Sequence, residues 1–477
     1  MTVLLPFIVN AGMNFVLGLL VALFLGPDEF GRYAIGAAII VLVNTALMDW
    51  LKLSAVRFYS QAARQTQPEI RATLDVLAAG ISISLCALLV AAVAAGVDVR
   101  LPAALLSAAV LAGVTAGLFD YHAAIARARF LDAAYARMIL VKNLLALMLM
   151  VGGAWWLRDA AIVLLGGLVS AAASLVAVRR VLADAPLSLA GFRKDLAWSF
   201  AAYALPLVAG NAIYSLIPLL NRSLLAGAHG FAEAGQFSLA SDIGLRLFGT
   251  LGATLEIVLL RQILRLEEEK GRLAARKRIA RNLPLVLLVA LPVAVGLLCV
   301  LPAFDRLVVP ASFQGRFSGY MTLLLPGFAA IAIFQAALYP VFLVDKRTVI
   351  ATLSALLALI VNLLLMAWLS VRLGPQAYAI AQSCAFLTVL MVTGAVAWRS
   401  LPPLPLRDCG LVILAVAIMA GAVWPLRGRF EPLIELVMQA SLGALAYGVV
   451  LLATDALRGR TLLRLWWLAQ RSKVRAS

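Results

Sequence analysis

The chain has 477 residues, of which 64% are hydrophobic and only 13% are charged, with a mean hydropathy of +1.00 and a formal net charge of +17. A soluble domain is about half apolar and about one quarter charged, so this composition excludes a water-soluble fold. The basic residues lie in short segments without an accompanying polar domain, which argues against a nucleic-acid partner.

The apolar residues form blocks of the length that a helix needs to cross a hydrocarbon layer of about 30 Å. Short charged or Gly/Pro-containing connections separate these blocks, and we therefore predict an all-α, multi-pass membrane protein with about fourteen spanning helices. Loss of one pair from the weaker C-terminal region would leave twelve. The predicted spans cover residues 3–25, 33–57, 74–97, 102–125, 136–157, 160–178, 200–226, 236–260, 283–304, 319–344, 348–371, 375–398, 409–426 and 432–454.

The connections alternate in charge along the whole chain. Those that follow even-numbered spans carry 28 of the 40 Lys and Arg residues, those that follow odd-numbered spans carry eight, and four lie inside spans. Because positive loops stay in the cytoplasm, this bias places both termini there.

Two long basic segments organise the chain. The segment Arg179 to Leu196 is the natural divide between two halves, and the segment Arg261 to Arg281 is predicted to be a helical extension supported by pairs such as Glu268 with Arg272. The predicted domains are residues 1–180 and 199–398, each with six spans, the linker 181–198, and residues 399–477 with two further helices and a basic tail.

A short repeat supports the division into halves. The run Phe30-Gly31-Arg32-Tyr33-Ala34 is similar to Ala234-Gly235-Gln236-Phe237-Ser238, and each run opens the second span of its half. Repeats of this kind in transporters place the substrate between two bundles, near the middle of the membrane.

Polar residues inside a span need an explanation, because a charge at the bilayer centre costs about 2.5 to 3.5 kcal/mol. In the eighth span, Ser238, Asp242, Arg246 and Glu256 recur at helical spacing on one face, which predicts a polar stripe that lines a cavity. Arg246 would bind an anionic substrate and Asp242 would orient it. Alternatively, the two side chains only neutralise each other as an i,i+4 pair.

Other spans contribute further candidates for the same cavity. The seventh span carries Asn211, Ser215 and Arg222, although Arg222 lies near the outer end, where it could reach the headgroups instead. The second span carries Asp49 and Lys52 on one face. The candidate binding residues are Arg246, Arg222, Lys52, Lys142, Asp242, Asp49, Asn211 and Ser215.

Three titratable residues are candidates for ion coupling. Asp120 and His122 lie at the inner end of the fourth span, where they could form a proton-linked pair, since histidine titrates near neutral pH. A purely structural interfacial pair is the alternative. Glu256 is the third candidate.

Four intramembrane cations, namely Lys52, Lys142, Arg222 and Arg246, suit a phosphate-bearing substrate, because arginine binds phosphate bidentately and lysine binds it as a point charge. No nucleotide-binding motif, catalytic triad or metal-ligand spacing occurs in the sequence. We therefore expect a transporter without cofactor or metal, driven by an ion gradient, the membrane potential or a substrate gradient, and not an enzyme.

Three sequence elements carry a resemblance to a known family. The run Leu25-Gly26-Pro27-Asp28-Glu29-Phe30-Gly31-Arg32-Tyr33-Ala34 resembles the opening of the polysaccharide-transporter (Wzx-type oligosaccharide flippase) branch of the MOP/MATE-like exporter superfamily. The runs Asn221-Arg222-Ser223-Leu224-Leu225-Ala226-Gly227 and Ala234-Gly235-Gln236-Phe237-Ser238-Leu239-Ala240 resemble the start of that family's second half, although Asn221 replaces the usual Asp.

The resemblance implies two pseudo-symmetric six-helix lobes in a V shape plus two C-terminal helices. It also implies a bacterial inner-membrane flippase that moves an undecaprenyl-diphosphate-linked oligosaccharide, such as an O-antigen, exopolysaccharide or capsule repeat unit, to the periplasm. Polysaccharide polymerase machinery would be a further partner. The alternatives are a lipid II flippase, a drug antiporter of the same superfamily, and a membrane glycan polymerase or ligase, which would require a large periplasmic loop.

Overall fold

The computed structural model describes residues 4–96, 101–183, 189–347 and 349–458, and every regular element within these ranges is helical. The all-α prediction is thereby confirmed. Arg100 and most of the predicted basic tail, from Arg460 onward, lie outside the described residues.

Fifteen α-helices follow one another in the described part of the chain. They are α1 (Leu4–Val43), α2 (Asp49–Phe58), α3 (Gln61–Thr66), α4 (Glu69–Ala94), α5 (Ala103–Ala128), α6 (Asp132–Trp156), α7 (Ala160–Leu182), α8 (Lys194–His229), α9 (Phe231–Val308), α10 (Arg316–Ile333), α11 (Tyr339–Val344), α12 (Val349–Leu373), α13 (Gln376–Trp398), α14 (Leu406–Val423) and α15 (Pro432–Ala453). Two π-helical turns connect consecutive helices without a loop: Asn44–Met48 joins α1 to α2, and Phe334–Leu338 joins α10 to α11.

Two helical segments are too long for one membrane crossing. The apolar segment Gly12–Phe58 has 47 residues and α9 has 78, which correspond to about 70 Å and about 117 Å of helix, against a hydrocarbon layer of about 30 Å. Each contains a glycine with non-helical backbone angles, Gly26 with φ 71° and Gly271 with φ 78°. A positive φ is accessible to glycine at little cost, so these residues divide each segment into two helices.

Eleven helices of the described residues are long and apolar enough to span a membrane, or twelve with α8, which bends by 51° between Pro206 and Val208. Division at Gly26 and Gly271 yields fourteen crossing segments, in the order predicted from hydropathy. The bend in α8 lies at one of its two prolines, which remove a backbone donor from the helix.

The chain forms two compact units. Unit 1 comprises Met1–Ser241 and Ala355–Gln382, and unit 2 comprises Asp242–Ser354 and Ser383–Ser477. The core of unit 1 is built around the buried side chains of Met48, Tyr121 and Phe200, which lie on three different helical segments. The predicted lobe boundaries stay a prediction.

Two glycines of the short repeat lie against each other within unit 1. A Cβ atom on Gly31 would lie 2.0 Å from the carbonyl oxygen of Phe231, and a Cβ atom on Gly235 would lie 2.0 Å from the carbonyl oxygen of Pro27. Each Cβ position is also 3.0 Å from the backbone nitrogen of the other glycine. The two helix starts therefore pack backbone to backbone in a reciprocal contact, which only glycine permits at both positions.

A buried carboxylate holds α15, the last long helix described, in unit 2. Glu435 of α15 is fully buried and accepts hydrogen bonds from the backbone nitrogen of Gly428 at 2.9 Å and from Gln439 Nε2 at 3.1 Å. Its other oxygen lies 3.4 Å from Arg306 Nη2, near the end of α9. Because a buried carboxylate is costly unless hydrogen-bonded, these contacts fix α15 to the end of α9.

The long basic segment in α9 is helical as predicted, but one of its predicted ion pairs is wrong. Arg272 lies 3.9 Å from Glu267 and not beside Glu268, because the positive φ of Gly271 interrupts the helical spacing on which an i,i+4 pair depends. Before the break the regular spacing holds, and Arg265 pairs with Glu269 at 2.6 Å.

Candidate functional site

Polar side chains from three helices of unit 1 and the π turn before α2 meet within the predicted spans. Lys52 Nζ lies 2.5 Å from Asp49 Oδ1, one turn away on α2. Asn44, on the π turn before α2, donates a hydrogen bond from Nδ2 to Asp120 Oδ2 on α5 at 2.9 Å. Asp120 also interacts electrostatically with Asp49 and with Lys142 of α6. We call Asn44, Asp49, Lys52, Asp120 and Lys142 the unit 1 charge cluster.

The backbone explains how this cluster forms. Gly117 faces the π turn, where a Cβ atom would lie 2.3 Å from Cγ of Met48, so α5 approaches the turn closely. A π turn shifts the register of the following helix and is frequent at functional sites. It places Asn44 opposite Asp120, one turn along α5 from Gly117.

Lys142 is half-buried and packs on an aromatic ring. Its Nζ lies 4.3 Å from the centroid of the Phe119 ring, and its carboxylate neighbour is Asp120. A lysine on an aromatic face beside a carboxylate keeps its charge away from bulk water at reduced cost. The role of Lys142 as a cation that binds the substrate stays a prediction.

Asp120 and His122 do not form the predicted pair. His122 Nδ1 lies 2.8 Å from the carbonyl oxygen of Leu118, and its charged neighbours are Arg71 and Asp75, not Asp120. Two residues at i and i+2 point about 200° apart around a helix, so they face different surroundings. Each residue stays a separate candidate for ion coupling.

Arg222 occupies a different environment from the lysines. It is 3% exposed, and its Nη1 donates to the carbonyl oxygen of Ala34 at 3.1 Å. This contact ties α8 to α1 within unit 1. The position favours a structural role for Arg222 and supports neither the predicted substrate contact nor the headgroup alternative.

The neighbouring Asn221 lies in a buried amide network that the sequence did not predict. Asn221 and Asn362 donate to each other at 3.1 and 2.8 Å, Asn221 also donates to Gln382 Oε1 at 3.1 Å, and Gln382 donates to Ser241 Oγ at 3.3 Å. All four residues are buried in unit 1. Such a network joins α8, α12, α13 and the first part of α9, since each buried amide requires its partners.

The two other predicted binding residues of α8 are more exposed than Arg222. Asn211 is exposed, and Ser215 is half-buried and donates to the backbone oxygen of Asn211 at 2.9 Å. They lie beyond the bend at Pro206, on the same helix as Arg222. They stay candidates for contacts with the sugars of a substrate.

The remaining predicted ligands belong to unit 2. Arg246 is exposed and Asp242 is half-buried, both on α9. Further along this helix, Glu256 accepts a hydrogen bond from Gln335 Nε2 at 2.9 Å. Gln335 lies on the second π turn, and a Cβ atom on Gly252 would lie 2.8 Å from its Oε1.

The same arrangement thus occurs once in each unit: a π turn carries an amide that donates to a carboxylate, and a glycine one turn before the carboxylate allows the close approach. Asn44, Asp120 and Gly117 form it in unit 1, and Gln335, Glu256 and Gly252 form it in unit 2. Sequence analysis identified both carboxylates but missed both amides. The sequence signal that could have identified these amides is an isolated Asn or Gln residue within an apolar span.

Comparisons with known proteins identify the fold. No family model matches the sequence, and no curated protein matches it. The chain is similar to a solved structure described as "Lipid II flippase MurJ, inward closed conformation", with a TM-score of 0.76 over 96% of this chain and 99% of that chain at 13% identity. It is also similar to an inward-facing "multidrug resistance MATE family transporter of the MOP superfamily", with a TM-score of 0.54 over 82% of this chain and 94% of that chain at 14% identity. The chain shares the fold of these transporters.

The likeness to MurJ extends over 96% of the chain. The chain is therefore a multi-pass membrane protein with a transporter fold. At 13% identity, the likeness to MurJ concerns the fold and not the substrate.

Proposed function

We propose that the protein is a bacterial inner-membrane flippase with both termini in the cytoplasm. It moves an undecaprenyl-diphosphate-linked oligosaccharide, an O-antigen, exopolysaccharide or capsule repeat unit, from the cytoplasmic to the periplasmic leaflet by alternating access of two lobes. No bond is made or broken. The observation that carries the proposal is the presence of Lys52 and Lys142, each near a carboxylate, within the predicted spans of a chain with a MurJ-like fold.

The unit 1 charge cluster is suited to an anionic headgroup that binds and leaves. Each lysine has a carboxylate neighbour, Asp49 for Lys52 and Asp120 for Lys142, so the empty site is close to neutral. A diphosphate would take over the lysine contacts and add charge-assisted hydrogen bonds. The carboxylates lower the cost of an empty site and oppose tight retention of the substrate.

Exposed Arg246 supplies a further cation in unit 2, and Asp242 lies one turn before it. Arginine provides planar bidentate contacts to phosphate that lysine cannot provide. Asn211 and Ser215 would contact the sugars, and the prenyl chain would stay in lipid. Polymerase machinery acting on the translocated repeat unit is the proposed partner.

A lipid II flippase is the second candidate, because the solved structure similar over nearly the whole chain is described as one. That substrate has the same polyprenyl-diphosphate chemistry. Lipid II flippases are expected to carry arginine in their first span, but residues 3–25, the first predicted span of this chain, contain none. This difference favours the oligosaccharide as the substrate. A drug antiporter is less consistent with the paired lysines, since such a site should be acidic and aromatic.

Complementation separates the two flippase candidates. We expect the protein to restore surface glycan in a strain that lacks its oligosaccharide flippase, and not to restore growth in a strain depleted of its lipid II flippase. Surface glycan would be measured by gel electrophoresis of extracted glycans and growth by colony formation. Rescue of growth without surface glycan would reverse the assignment, and rescue of neither by a membrane-inserted protein would contradict flippase activity on both substrates.

Arg246→Ala should remove surface glycan while the protein stays in the membrane at its normal level. The exposed side chain can be truncated without leaving a cavity, so the expected loss is in transport and not in folding. Arg261→Ala is the matched control, since Arg261 is an exposed arginine on the same helix in the basic extension. Normal surface glycan from Arg246→Ala would remove Arg246 from the mechanism.

A further inference from the structure

A second cationic site lies in unit 1, apart from the unit 1 charge cluster. A cavity of about 330 Å³ opens where the start of α4 meets the ends of α5 and α7, and its lining residues include Arg71, His122, Val176, Arg179 and Leu182. This volume equals that of roughly ten water molecules. The proposed translocation route uses none of these side chains, although His122 is a candidate for ion coupling. Asp120, the predicted partner of His122, accepts a hydrogen bond from Asn44 instead.

Arg71 is held in one orientation by its neighbours. It is 8% exposed, its Nε lies 2.8 Å from Asp75 Oδ2, and Tyr121 Oη donates to Asp75 Oδ1 at 2.7 Å. The guanidinium carbon lies 5.7 Å from the centroid of the Tyr121 ring and 5.9 Å from that of Tyr59. A guanidinium fixed by a carboxylate and two aromatic rings is preorganised for an anion at the cavity wall.

Arg179 supplies a second and more accessible guanidinium, in the last turn of α7. The end of this helix is fixed to α5, since Arg129 Nη1 donates to the carbonyl oxygen of Val181 at 3.2 Å. The side chains of Arg71 and Arg179 thus line one cavity from two helices whose ends are each tied to α5. Two arginines around a cavity of this size suit a phosphate group.

The other residues that line the cavity indicate which kind of molecule carries the phosphate. Leu175, Val176, Leu182 and Ala183 make one side of the cavity apolar. Leu165, Val169 and Val176 recur at helical spacing on one face of α7 and are 42%, 48% and 59% exposed, so an apolar strip runs from the cavity along the outside of unit 1. A ligand with a phosphate at one end and hydrocarbon chains at the other would match both features.

We propose that this cavity binds the phosphodiester headgroup of an anionic phospholipid from the cytoplasmic leaflet, with its acyl chains along the Val176 side of α7. The site is distinct from that of the transported substrate and does not depend on which glycan is moved. A bound phospholipid would join α4 to α7, because its phosphate would contact both Arg71 and Arg179.

Native mass spectrometry of the purified full-length protein tests this proposal, with phosphatidylglycerol, phosphatidylcholine and inorganic phosphate as probes. We expect phosphatidylglycerol adducts to form in preference to phosphatidylcholine adducts, and inorganic phosphate at millimolar concentration not to displace them. Arg179→Gln should weaken phosphatidylglycerol binding by about tenfold or more, as expected for loss of one charge-assisted contact. Arg179 is exposed, so this variant should fold normally.

Arg180→Gln is the matched control, because Arg180 is the exposed neighbour of Arg179 on α7 and does not line the cavity. It should leave phosphatidylglycerol binding within about twofold of the original protein. An equal loss in both variants would show only general attraction to a basic surface, and unchanged binding in Arg179→Gln would show that the cavity is not the site. Displacement by inorganic phosphate would identify a site for the free anion, and each of these three results would overturn the proposal.

Discussion

Replacement of Gly31 by alanine should prevent the protein from accumulating in a folded form. The added methyl group would lie 2.0 Å from the carbonyl oxygen of Phe231 and 3.0 Å from the backbone nitrogen of Gly235. Both neighbours are backbone atoms within helix starts, so no side-chain rotation relieves the clash. Overpacking that side chains can absorb costs about 1 to 3 kcal/mol, and we expect this substitution to reach or exceed that range. Membrane levels and thermal unfolding in detergent would measure the loss.

Gly235→Ala should have the same effect, because its Cβ position meets the carbonyl oxygen of Pro27 at the same distance of 2.0 Å. Gly80→Ala is the matched control, since Gly80 lies within α4 and a Cβ atom there has no neighbour within 4 Å. That control should be neutral or slightly stabilising, because alanine favours the helix. Equal melting temperatures for Gly31→Ala and Gly80→Ala would show that the two helix starts can separate without cost.

The glycine contact gives a physical meaning to the short repeat in the sequence. Phe30-Gly31-Arg32-Tyr33 and Ala234-Gly235-Gln236-Phe237 are similar because both runs meet at one reciprocal contact. Arg32 completes the contact by placing its guanidinium carbon 4.6 Å from the centroid of the Phe231 ring. Repetition in sequence alone suggested two related halves, but it did not show that the repeated elements touch.

Much of the fold follows from hydropathy and from a few backbone signals. Apolar blocks separated by charges predict the crossing helices, because the cost of burying charge in lipid dominates every local propensity. Gly26-Pro27 predicts the break in α1, and the structure places a positive φ at Gly26. The break at Gly271 was missed, because a lone glycine in a charged helical run carries a weak signal.

The candidate site was less predictable, because spacing along one helix does not reveal what faces that helix. Arg222 and Lys142 are both cations in spans, yet Arg222 donates to a backbone oxygen whereas Lys142 lies on an aromatic ring beside a carboxylate. The π turns shift the register of their helices by an amount that regular helical periodicity does not include. Asn44 therefore contacts Asp120, and Gln335 contacts Glu256. Regular helical periodicity would not have predicted either contact.

Replacement of Lys142 by methionine should reduce both stability and transport. The substitution preserves length and packing on Phe119 but removes the positive charge beside Asp120. Lys142 and Asp120 are both half-buried and interact electrostatically, so removal of the lysine charge should lower stability by leaving the carboxylate without its nearby cation. Thermal unfolding in detergent would measure the first effect, and surface glycan in a complemented flippase-null strain would measure the second.

The double variant Lys142→Met with Asp120→Asn separates a structural role of Lys142 from a substrate-binding role. Removal of both charges restores electrical balance, and the new amide can still accept a hydrogen bond from Asn44, so most of the lost stability should return. Transport should not return, because the lysine proposed to bind the diphosphate is still missing. Recovery of normal surface glycan in the double variant would show that Lys142 only balances Asp120, and the unit 1 charge cluster would then be a structural element and not a substrate site.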